Sequence, residues 1–510
     1  MPEKKVATSS GSLAAPHRLV FFLQTKALGA LSMGSRNLPK NLKLSLSLSI
    51  GLVAATFIMG AAKLHAQNAD SIRHQEQASR LYQRLTGVLP SRPALEEMTS
   101  LIAAGNVPGA SFRAMEDLNF YKVTLYNMFS AYSNVTENSD TPLSDYTALV
   151  VGLIYNNQNF DRVLYGDILY TSNDATMTYN LSFNNPSDPA NPTILPVNRA
   201  GAFFPLVRDA QPDLDFNRSI VGKVRPLFRL ANPANGADIR YDDNVHFSDL
   251  QSLNDWPALL EERQQSLVYS HLRTDGQVSA EDISGILTTR QTASEFFNMG
   301  TNRRAFRFAS KTFLCRDMEQ LHDSSAPDLR VRQDVDRSPG GDSRAFQAKC
   351  SGCHSGMDAF AGAFSFFDFN DGRMTYNRNA LNNPNNKQFR QANIFPDGYR
   401  LTNNSWMNFW NRGPNLALGW RTPQVGGSIE SGVGARSLGA LLASTEAFGN
   451  CMAEKTFKRI CFRPPTPNES TELAALARQF ENGWTSFSSE NASNPYNMRA
   501  LFAKVSDMCF

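Results

Sequence analysis

Hydrophobic and polar positions change rhythm several times along these 510 residues. Leu44 to Ala62 is a nearly unbroken run of apolar and small residues, LSLSLSIGLVAATFIMGAA, with Arg36, Lys40 and Lys43 just before it. From Ile72 to Leu89 apolar positions recur at three- and four-residue intervals, which predicts an amphipathic helix. Ser91-Arg92-Pro93 then restarts a helix at Ala94-Leu95-Glu96-Glu97-Met98, with proline in its first turn. Two more amphipathic stretches follow, near 116–131 and 143–165. Over 171–200 the pattern is lost: SFNNPSDPANPTILPVN predicts a loop with short strands, and 200–275 has no consistent period. Helical spacing returns from Ser279 through His322, and a polar turn region runs from Asp323 to Gly341. SRAFQAKCSGCH, with Asp342 or Ser343 as N-cap, predicts a helix whose last turn carries two cysteines. Beyond Asn383, Asn, Pro and Gly dominate as far as Gly434, a long wrapping loop, and 436–510 is helical again.

These elements predict a mainly α chain with long irregular loops. Its segments are a leader (1–66), a helical N-terminal domain (70–165), a loop-rich mixed segment (166–278), a segment of helices with a small candidate site (279–435) and a C-terminal helical domain (436–510). The length beyond the leader, about 440 residues, is long for a single core, so two or three domains are expected.

The leader reads as a secretory signal. A basic stretch, an apolar run and small residues at Gly60 and Ala62, or at Ala66, predict cleavage within 62–69. The unusually long stretch before Met33 suggests that translation begins there, and with no cysteine after the run a lipoprotein anchor is excluded. The apolar run is also just long enough to span a bilayer, so an uncleaved anchor is the alternative. Either way the rest of the chain is expected outside the cytoplasm: in a Gram-negative periplasm or secreted, or anchored in the inner membrane facing the periplasm. Eight of the 50 basic residues and one of the 47 acidic ones lie in 1–66, which leaves 42 against 46 in the remainder. That balance does not suggest nucleic acid or an anionic membrane surface as a partner.

The densest chemistry is Cys350-Ser351-Gly352-Cys353-His354. On one helical turn two thiols three positions apart reach the two vinyl groups of a porphyrin, and the adjacent imidazole meets its iron. With six Cys and seven His, chance placement gives about 0.001 such matches. A thioredoxin-like pair would follow a strand in a βαβ pattern, and a structural zinc site would need a second CxxC or an HxxxH; neither is found in the sequence. The expected cofactor is one covalent haem c held by Cys350 and Cys353, with His354 as proximal ligand. The other four cysteines, Cys315, Cys451, Cys461 and Cys509, suit two disulfides in an oxidising compartment, in any of three pairings, with four separate buried thiols as the alternative; Cys451 and Cys461 are close enough in sequence to clip a local turn, and Cys315 would then pair with Cys509. Aromatics from Phe360 to Trp420 would serve either as a dry haem wall or as an ordinary core. For the sixth ligand Met407 is favoured, then Met374; Met452, His322 and His271 are further alternatives, and Met357 is too close to His354 to cross the ring. Arg332 and Arg337 are candidates for a haem propionate, with a solvated surface pair as the bland alternative.

GILTTRQ at 285–291, TNRRAFRFASKTFLC ending at Cys315, and CSGCHSGMDAFAGAFSFFDFNDGR at 350–373 together resemble the planctomycete-type cytochrome domains, whose reaction is unassigned. Met357-Asp358, Phe367-Asp368 and Gly372-Arg373 match that pattern, while Ala359 replaces its usual proline. LGALLASTEAFGNCMAEKTFKRIC at 438–461 is similar to the helical domain that closes such proteins. The resemblance implies a secreted, helical protein with a small cytochrome c-like haem segment and implies no reaction. Three functions follow: electron transfer to a redox partner protein, a haem peroxidase or oxidase with an open distal site, and a binding protein with the haem as a staple. No GxSxG, HExxH or paired-carboxylate signature is present to name another catalyst.

Overall fold

The computed structural model describes residues 69–172, 178–185, 188–198, 228–229, 240–241, 247, 250–269, 278–298, 300–370, 373–382, 387–391, 394–487 and 492–510. The leader run Leu44–Ala62 and His271 lie outside the described residues. Among the described residues the fold is mainly helical, and the strands form antiparallel pairs.

The first helix, α1 (69–86), ends where Gly87 takes φ +77°, a left-handed conformation that glycine adopts without a Cβ clash. Ser91 then caps α2 (Arg92–Ala103) by accepting from Ala94 N, with Pro93 in the first turn; Ala94, Met98 and Ile102 are buried at four-residue intervals. Instead of one amphipathic helix over 116–131, the chain makes a π-helical turn at Phe120–Leu125 that runs into Tyr126–Ser130. The next helix, α3 (Asp145–Tyr155), is buried from Asp145 through Ile154, so it runs through the core rather than presenting a polar face. It packs against β1 (Leu169–Ser172), which pairs with β2 (Leu260–Arg263). The Asn- and Pro-rich stretch contains an antiparallel pair, Thr178–Asn185 with Asp188–Asn198.

Asn302 (φ 64°) precedes α4 (Arg303–Phe313), and its Nδ2 donates to Phe364 O at 2.7 Å and Phe367 O at 2.8 Å. These bonds pin the start of α4 to the chain just beyond the CxxCH sequence. That sequence spans a junction between two helices, α5 (Ser343–Lys349) and α6 (Ser351–Ala361), and Asp342 caps α5 by accepting from Arg344 N. Further on, β3 (Phe367–Asn370) pairs with β4 (Arg373–Tyr376). The wrapping loop is organised by β5 (Ser405–Met407) against β6 (Ser431–Val433). The C-terminal part is α7 (Gly434–Ala443), α8 (Glu446–Cys461), α9 (Pro467–Asn482) and α10 (Met498–Cys509). Thr466 and Glu469 close a capping box at the start of α9, with Pro467 in its first turn.

Residues 74–510 form one compact unit. In it an apolar cluster runs from Ala78 to Val505. Ser284 Oγ hydrogen-bonds Leu164 O at 2.5 Å and Ala435 O at 2.8 Å, linking three distant stretches of sequence. Among the described residues no helix is long and apolar enough to cross a membrane.

The disulfides are Cys315–Cys451 and Cys461–Cys509, with Cα separations of 5.3 and 5.5 Å. This corrects the pairing of Cys451 with Cys461. Cys451 and Cys461 lie ten residues apart on α8, about 15 Å along the helix axis, far beyond the reach of one disulfide.

Candidate functional site

The α5–α6 junction sets the geometry of the CxxCH residues. Cys350 has φ −120° and ψ −42°, and Ser351 Oγ donates to Gln347 O at 2.8 Å. A serine bonding back one turn in this way bends a helix. The thiols therefore sit in the first turn of α6 instead of the last turn of α5.

Cys350, Cys353, His354 and Met357 follow one another at i, i+3, i+4 and i+7, so they share a face, and each is half-buried. The opposite face, with Ser351, Gly352, Ser355 and Gly356, is buried. Two glycines let it pack closely. A Cβ on Gly352 would lie 2.4 Å from His322 Nε2, and one on Gly356 would lie 2.0 Å from Trp410 Cε2. His322 thus rests on the side of α6 away from His354. Both thiols are free, and burial pushes the Cys353 thiol up, while its Sγ lies 3.6 Å from Met318 O.

His354 is the outward end of a buried charge network. Its Nδ1 lies 3.0 Å from Oδ1 of Asp358, one turn further along α6, whose side chain is wholly buried. Arg303, at the start of α4, grips both Asp358 oxygens through Nε and Nη2 and reaches Asp334 through Nη1 (2.7 Å) and Nη2. Arg332 N adds a bond to Asp358 Oδ2 at 3.0 Å. Burial alone would raise the Asp358 pKa, but the Arg303 charge and the bonds from His354 and Arg303 outweigh it and hold the carboxyl well below its ordinary range. With N–H donors from Arg303 Nε, Arg303 Nη2 and Arg332 N on its two oxygens, Asp358 is placed as an acceptor, so Nδ1 of a neutral His354 carries the proton and Nε2 keeps its lone pair.

The arginines behave differently. Arg337 is committed: it donates to Asp328 Oδ2 at 2.6 Å and to the carbonyls of Asp328 and Val331, over the Phe346 ring. Arg332 is buried with only 4 % exposure; Nη1 donates to Thr301 O and Gln388 Oε1, while its buried Nε and Nη2 have no hydrogen-bond partner among the described residues. Burial holds its pKa down to about 10.

The expected sixth ligands are spread around the fold. On β5 it is Trp406 that faces α6, through Phe360 at 6.0 Å between ring centroids, and strand alternation puts Met407 on the other side. Met374 lies in β4 in the core, and Met452 is fully buried beside the Cys315–Cys451 disulfide. The aromatics after the motif mostly stack on one another: Phe360 lies 4.6 Å from Phe306 and 5.8 Å from Trp410, so they form a core behind α6. In sequence Asp358 stood out only as half of the Met357-Asp358 match, with nothing to tie it to His354. Arg303 and Asp334, which complete its network, carry no local signal.

The donor set fits a covalently held porphyrin: two unpaired thiols one helical turn apart, with an imidazole nitrogen available on the same half-buried face. Among the described residues no group of three or more His, Cys, Asp or Glu is arranged to hold a metal ion. No protein-family model, curated protein or solved structure matches this chain.

Proposed function

We propose that this chain is an exported monohaem c-type cytochrome that passes electrons to a redox partner protein. The reading is carried by one observation: the free thiols of Cys350 and Cys353 and the imidazole of His354 share one half-buried face of α6. In this role Cys350 and Cys353 form the thioethers, His354 Nε2 is the iron ligand, and the unpartnered Arg332 N–H groups are the better placed of the two arginines for a propionate. When bound, the haem supplies a one-electron iron couple; the chain positions it, and the aromatic core behind α6 stiffens the helix that bears it. Export rests on the basic and apolar leader read from sequence.

Attachment is tested on the full chain produced with a periplasmic haem-maturation system. Mass spectrometry is expected to find one covalent haem on the wild-type chain and none on the C350S/C353S variant. An unmodified wild-type chain would overturn the reading.

The placement of Trp406 favours a second reading, a haem peroxidase or oxidase, because Met407 is turned away from α6. An iron without a sixth protein ligand would bind cyanide and carbon monoxide, and spectra with and without those ligands separate this reading from electron transfer.

A further inference from the structure

We infer that Asp358 is a positioning residue for His354: clamped by Arg303, it fixes the imidazole as its Nδ1–H tautomer, leaves Nε2 with its lone pair and strengthens that nitrogen as a donor to iron. The tautomer follows from the hydrogen-bond geometry alone. The effect on iron rests on the haem reading above.

Each bond to Asp358 serves to hold the carboxylate still. Oδ1 accepts from Arg303 Nε and faces His354 Nδ1; Oδ2 accepts from Arg303 Nη2 and from Arg332 N. Asp334 shares the same guanidinium, and the buried Arg332 side chain brings a second positive charge near both carboxylates. A buried ion pair of this kind contributes little net stability. Its one outward-facing member is His354, with a quarter of its side chain exposed. A histidine that ligates a metal and donates its second ring N–H to a carboxylate is held in one tautomer and becomes more basic. Iron(III) gains more from such a ligand than iron(II), so the carboxylate biases the site toward the oxidised state.

Two measurements decide the matter. In the full chain produced without haem, ring-nitrogen NMR of neutral His354 is expected to show the proton on Nδ1; a proton on Nε2 overturns the inference. In the haem-bearing protein, D358N is expected to raise the midpoint potential while helical circular dichroism is retained, because the amide accepts the Nδ1 proton more weakly. An unchanged or lowered potential in the folded variant overturns it. Should D358N fail to fold, the wild-type tautomer decides. A wild-type chain that never acquires haem defeats the proposed function and leaves the tautomer measurement to stand or fall by itself.

Discussion

Gly356 lies under the indole of Trp410, close enough that a Cβ would come within 2.0 Å of the ring. Trp410 is fully buried and packed against Phe306 and Phe360, so it has little room to retreat. Overpacking of that kind costs about 1–3 kcal/mol, and the preference of helices for alanine, about 1 kcal/mol, offsets only part of it. G356A is therefore predicted to lower the urea midpoint, whereas an unchanged midpoint would mean that α6 can slide away from the indole. A second residue gives a pH signature. Lys455 sits 3.7 Å from the Tyr132 ring centroid, and burial, acting against the pull of Glu137, holds its pKa down to about 8. Between about pH 8 and the ordinary lysine value the unfolded chain binds more protons than the folded one, so stability from this group rises with pH across that window. Urea unfolding at pH 8 and pH 10 should show the wild type gaining about 1–3 kcal/mol relative to K455M. Equal changes in the two proteins would contradict the assignment.

At the scale of the element, α4 connects the candidate site to the C-terminal helices. Its first residue, Arg303, holds Asp358; just past its far end Cys315 is bonded to Cys451 on α8. That disulfide closes 136 residues of separation, and its removal in C315S/C451S is predicted to cost about 2–5 kcal/mol in denaturant unfolding. A loss well under 1 kcal/mol would mean that packing of α4 on α6 and α8 holds the helix without it. Elements with local signals were legible in the sequence. Ser91 and Pro93 announce α2, and Asp342 announces α5. The break at Cys350, where φ is −120°, was not, because no proline or glycine stands at that position. The disulfide pairing was misread because both α8 cysteines look close in sequence; the continuous helix between them keeps them apart.

For the whole molecule, the mainly helical class followed from hydrophobic spacing, since helices of this length bury a periodic face whatever they pack against. What spacing does not encode is which distant segments meet. Arg303 lies 55 residues before Asp358 and 29 before Arg332 yet shares a buried network with both. Likewise the wrapping loop returns as the β5–β6 pair, whose Trp406 bonds Ser437 Oγ at 2.8 Å. The CxxCH residues stood out because they lie within five positions of one another; the network around His354 did not, because nothing local in the stretches that hold Arg303 and Asp358 says that they meet. The central claim is tested most directly by the absorption spectrum of the full chain, exported through a haem-maturing periplasm and recorded oxidised and dithionite-reduced. A reduced spectrum with the sharp bands of a covalent c-type haem, absent from C350S/C353S, is the predicted result. A wild-type spectrum with no haem band would contradict the account and return Cys350 and Cys353 to thiol chemistry.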